Sequence, residues 1–120
     1  MSSESLHEPI EQISEETIDM HRAIVSVKEE LDAIDWYRQR ADASTDEQLK
    51  DILLHNMNEE IEHAVMVLEW IRRHHVHFDQ MMRKYLFSES PIVDIEHAEK
   101  AGAAAGPETL GIGSLNLKRR

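Results

Sequence analysis

Two long stretches of this chain place apolar residues at steps that alternate between three and four, a spacing that suits helices packed along a seam and little else. In the first stretch, from about Glu8 to Arg40, the seam reads Ile10, Ile13, Thr17, Met20, Ile24, Val27, Leu31 and Ile34. Pro9 fits the first turn, where its missing N–H matters least. In the second stretch, ending near His74, it reads Leu49, Leu53, Asn56, Glu60, His63, Val67 and Trp70. Between them, Ser44-Thr45-Asp46-Glu47 has the form of a capping box, with Ser44 as N-cap and Glu47 reaching back. The first helix should therefore stop between Ala41 and Thr45. A connection this short makes the two helices an antiparallel hairpin.

Phe78 to Phe87 is also helical in pattern, through Met81, Met82, Tyr85 and Leu86, as a continuation of the second helix after a bend. Ser90-Pro91 marks a break, and Pro91 can open a short third helix through Ile92, Ile95 and Ala98. From Ala101 the composition turns to AGAAAGPET, small and poor in large apolar groups, which reads as a linker. The end changes again, with Leu110, Ile112, Leu115 and Leu117 among glycines before Lys118-Arg119-Arg120. The expected organisation is an all-α domain over residues 1–100, a flexible linker over 101–109 and a separate peptide over 110–120. The domain is a two-helix hairpin plus a short C-terminal helix, and two such chains would complete a four-helix bundle.

Composition narrows the function. The formal net charge is −11, so binding to nucleic acid, which rests on cationic contacts to phosphate, is not expected. No apolar run is long enough to span a membrane, and the N-terminus lacks the basic start and apolar core of a secretory signal. Cysteine is absent, which removes disulfides, thiolate metal sites and thiol catalysis. Histidine and carboxylate remain as metal ligands, a donor set that suits iron, manganese and zinc.

Glu60 and His63 interrupt the second seam. At i and i+3 they point the same way, one turn apart, where a seam should hold Leu or Ile. On the first helix, Glu30 shares a face with Ala23, Val27, Ile34 and Tyr37. An acid set among apolar neighbours needs a compensating partner. Glu-x-x-His alone is met by chance or by salt bridging in a Glu-rich helix; the combination with Glu30 carries more. A di-iron carboxylate bundle takes a Glu from each of two helices and Glu-x-x-His from each of the other two. This chain holds one of each, half the set, so two chains would supply four carboxylates and two imidazoles around two iron ions. Four carboxylates carry −4 and two ferrous ions +4, which leaves the centre neutral. Tyr37, two turns beyond Glu30, could support the metal shell or be a core aromatic. Glu29 and Asp32, with Trp36, occupy the neighbouring, more exposed face; the two acids could hold an entering cation or be an ordinary solvated surface. His74, His75 and His77 near a helix C-terminus read as structural.

The chain resembles the encapsulated ferritins, the short ferritin-like proteins packed inside encapsulin shells. The likeness rests on His21-Arg22-Ala23-Ile24-Val25-Ser26-Val27, Glu29-Glu30-Leu31, Asp35-Trp36-Tyr37, Asp42-Ala43-Ser44-Thr45-Asp46, His55-Asn56, Glu59-Glu60-x-Glu62-His63-Ala64, Leu68-Glu69-Trp70 and Tyr85-Leu86-Phe87. It implies a ferroxidase centre at a dimer interface, with ligands at Glu30, Glu60 and His63 and a supporting Tyr37. It also implies an annular assembly, typically a decamer, and an iron-uptake site at Glu29, Asp32 and Trp36, where Asp32 is shorter than the Glu expected. Leu110-Gly111-Ile112-Gly113-Ser114-Leu115-Asn116-Leu117 is similar to the cargo-loading peptides that dock on the inner wall of encapsulin, which implies residence in the compartment lumen within the cytoplasm.

The expected activity is oxidation of Fe(II) to Fe(III), with dioxygen or peroxide as oxidant, and delivery of iron for mineral storage. Two alternatives stay open: a peroxide-consuming di-iron or di-manganese enzyme, separable by oxidant and product stoichiometry, and a non-enzymatic helical cargo scaffold, which would bind no stoichiometric iron.

Overall fold

In a computed structural model that describes residues 5–105, every regular element is helical. A single 3-10 turn at Ile10–Gln12 precedes α1 (Glu15–Ala43); α2 (Glu47–His74), α3 (Val76–Tyr85) and α4 (Ile92–Ala105) follow. The first long helix thus begins later than the periodicity suggested. Ser14, in extended conformation, accepts a hydrogen bond from the Thr17 amide at 3.2 Å and caps α1. Pro9 precedes the 3-10 turn instead of opening the long helix. Glu15 and Glu16 in the first turn and Arg40 in the last suit the helix dipole.

The turn into α2 corrects the expected cap. Asp46 Oδ1, not Ser44, accepts from the amide three residues on, Leu49 N at 2.8 Å. Ser44 instead ends α1, donating its amide to the Arg40 carbonyl, while its Oγ accepts from Asp46 N at 3.3 Å. A carboxylate at the positive end of a helix is a stronger acceptor than a hydroxyl, which favours Asp46 in that place.

The residues through His74 and those from His75 onward form two separate compact units. In the first, α1 and α2 pack as an antiparallel hairpin: Ala23 and Val27 cluster with Ile71, and Met20, Val67, Leu68 and Trp70 pack around them. The inward face of α1 is the one that carries Ala23, Val27 and Glu30. The alternative stripe through Ile24 and Leu31 faces out, Leu31 being 52% exposed. On α2 the innermost positions are Ala64 (3% exposed) and Ile71 (2%), one residue past the expected His63 and Trp70. Alanine at a helix contact lets the axes approach closely, so the hairpin closes over small side chains. The larger apolar groups, among them Leu31, Leu49, Ile52, Ile61, Val65 and Met66, remain exposed.

In the second unit α3 is a helix of its own. His75 is extended (φ −146°, ψ 112°) and its Nδ1 accepts from the Phe78 amide at 3.3 Å. Pro91 lies just before α4 as expected, its carbonyl accepting from Asp94 and Ile95, and α4 packs on α3. Helix α4 runs to Ala105, into the stretch that composition assigns to a linker. Residues 110–120 lie outside the described residues. Among the described residues no helix is long and apolar enough to cross a membrane.

Candidate metal centre

Midway along the hairpin, α1 contributes Glu30 and α2 contributes Glu60 and His63. One ligand atom from each lies within 4.8 Å of the others. His63 Nδ1 is 3.8 Å from Glu30 Oε2 and 3.9 Å from Glu60 Oε2. These separations exceed hydrogen-bonding distance but leave the three groups converging on one small volume. It is the only cluster of three or more such donors among the described residues.

Burial is graded across the cluster. The Glu30 side chain is 24% exposed, that of Glu60 26% and that of His63 48%. Glu30 Oε2 is fully buried and has no hydrogen-bond partner. A buried carboxylate oxygen that faces a second carboxylate and an imidazole is costly to leave unpaired, and a cation would satisfy it. The electrostatics agree. The Glu30 carboxyl is held above its ordinary value of 4.5, first because Glu60 is close enough to share a proton with it, then by partial burial and by the charges of Glu60 and Glu29; His63 opposes the rise. The donor chemistry, oxygen plus imidazole nitrogen without thiolate, fits iron.

The other expected residues are not among these three ligands. Tyr37 is half-buried, with the Arg40 guanidinium 5.6 Å over its ring. Glu29, Asp32 and Trp36 are exposed and form no cluster of three metal ligands. His74 donates to the Trp70 carbonyl at 2.8 Å and stacks on the Trp70 ring with centroids 4.0 Å apart. The residues that sequence reasoning passed over are Glu69, Arg72 and Arg73. Glu69 is held by Arg72 (2.7 Å) and Arg73 (2.7 Å), which lower its pKa to about 2. Their i+3 and i+4 spacing was the available signal.

Residues 5–89 match the EncFtn-like family. Over 95% of this chain and 89% of the relative, the sequence is 53% identical to the encapsulated ferritin-like protein of Rhodospirillum rubrum. It is 35% identical to the encapsulin nanocompartment cargo protein EncC of Myxococcus xanthus, over 76% of this chain and 79% of the relative. A crystal structure of a Nitrosomonas europaea protein, 53% identical, superposes with a TM-score of 0.71 over 73% of this chain and 97% of that one. The fold is thus the helical fold of ferritin-like proteins. The chain belongs to the EncFtn-like family, as the residues quoted above led one to expect.

Proposed function

We propose that this protein is a ferroxidase: Fe(II) is its substrate, and Glu30, Glu60 and His63 of two paired chains hold two ferrous ions per pair. The observation that carries the reading is the convergence of these three groups around a buried carboxylate oxygen without a partner. One chain supplies two carboxylates and one imidazole, half of what a di-iron carboxylate bundle uses. Its hairpin also leaves large apolar groups exposed, as expected of a chain that buries them against another copy.

Iron supplies the redox chemistry, each ferrous ion giving one electron to dioxygen or peroxide. The chain's own residues bind and orient. Glu30 and Glu60 neutralise the incoming charge, and the more exposed His63 offers a neutral nitrogen ligand. Tyr37 supports the centre from the same face of α1, and Glu29, Asp32 and Trp36 form a site where iron enters. The family names support the destination. Relatives are called encapsulated and cargo, and Leu110 to Leu115 would carry the chain to an encapsulin shell, where ferric product is stored as mineral. The assembly is a homodimer repeated into a ring.

The test is ferrous oxidation by Glu60→Ala and His63→Ala. Both should lose most activity while keeping helical content. Wild-type rates in both would refute the assigned centre, and a wild-type chain that binds no stoichiometric iron and whose activity is unchanged by Glu60→Ala would point to a scaffold.

A further inference from the structure

The start of α3 is held by an unusual cap. His75 Nδ1 accepts the Phe78 amide at 3.3 Å, and the imidazole meets the Phe78 ring edge-on with centroids 5.3 Å apart. A ring nitrogen accepts only while it carries no proton. The adjacent His74 has the opposite arrangement: its Nδ1 lies 2.8 Å from the Trp70 carbonyl and must donate, which it does whether or not the ring is charged. A positive charge on His74 suits the C-terminus of α2; one on His75 opposes the positive end of α3.

We propose that His75 is a proton-sensitive cap: α3 begins at Val76 when His75 is neutral and loses its first turn when His75 is protonated, while the end of α2 stays intact. The ionisable surroundings do not remove this asymmetry. In the preceding turn, Arg72 and Arg73 are engaged by Glu69. On α3, Asp79 is tied to Arg83 at 2.9 Å, and His77 and Lys84 are the other ionisable side chains before Tyr85. On α4, which packs on α3, Glu96 pairs with Lys100 at 3.5 Å, beside Asp94 and His97. None of these takes over the Phe78 amide. The cap lies in the C-terminal unit, whereas the residues of the candidate centre belong to the unit that ends at His74.

The test is hydrogen exchange at the Phe78 amide in the full-length, metal-free protein, corrected for intrinsic exchange, at about pH 7.5 and about pH 5, across the range where imidazoles titrate. Three proteins are compared: wild type, His75→Asn, which caps without titrating, and His75→Ala, which does not cap. Wild-type protection should fall about fivefold on acidification, the equivalent of about 1 kcal/mol for a lost cap. His75→Asn should stay protected at both pH values, and His75→Ala should be weakly protected at both. The proposal is overturned if wild type loses no protection, if His75→Asn loses as much as wild type, or if amides in the middle of α2 fall in parallel with Phe78.

Discussion

His63 Nδ1 on α2 faces the buried Glu30 Oε2 on α1 across 3.8 Å. The pair joins the two helices at a polar point of an otherwise apolar contact, and it leaves the carboxylate oxygen without the hydrogen bond that burial ordinarily demands. A hairpin selected only for stability would place a Leu there. The polar cluster therefore lowers the stability of the metal-free chain, a cost that a bound cation would offset.

Two acids of unit one should give opposite pH dependences in the metal-free protein. Glu30 is raised above 4.5 by Glu60 and partial burial. As pH rises past 4.5 the unfolded chain releases this proton before the folded one, so stability falls through that window. Glu69 is held at about 2 by Arg72 and Arg73. Its contribution is present above 4.5 and is lost as pH falls through about 2. Thermal melts should show Glu30→Gln more stable than wild type at neutral pH, with the difference closing below 4.5. Glu69→Gln should be slightly less stable at neutral pH, with the deficit vanishing near 2. A Glu30→Gln protein no more stable than wild type at neutral pH would contradict this account.

Ile71 is the large buried group of the hairpin contact, 2% exposed against Ala23 and Val27. Ile71→Ala should cost about 2–4 kcal/mol, a large fraction of the stability of a small domain. Denaturant unfolding at fixed protein concentration measures it. Ile24→Ala, on the exposed stripe, should cost much less in a monomeric state; equal costs would mean that the hairpin packs through the other face.

The hairpin was legible because its three-four spacing admits little else, and the break at Pro91 was legible from backbone chemistry. The inward face of α1 was ambiguous, since stripes through Ile24 and Leu31 and through Ala23 and Val27 are both apolar. Close approach through alanine decided it, a packing effect that hydrophobic spacing does not weigh. The caps were misplaced for a related reason. Ser44 and Asp46 can both cap α2, and His75 is not among the usual N-cap residues. Glu60, His63 and Glu30 stood out as polar interruptions of apolar faces, so the candidate centre could be read before the fold. Nothing in spacing alone bears on whether Tyr37 or Glu29 and Asp32 take part.

Removing Leu110 to Arg120 should leave ferrous oxidation in solution unchanged, since the segment holds none of the proposed ligands, and should abolish loading into an encapsulin shell. Co-expression with the shell protein and measurement of cargo in purified shells checks both halves. Normal loading of the truncated chain would remove the targeting role of this segment.

Anomalous scattering from an iron-soaked crystal would locate a two-iron centre built by two chains. Two iron peaks per pair of chains are expected, within bonding distance of Glu30, Glu60 and His63 and drawing ligands from both copies, and both should be lost in Glu60→Ala. Iron bound by donors of one chain alone, or no iron at these residues, would contradict it.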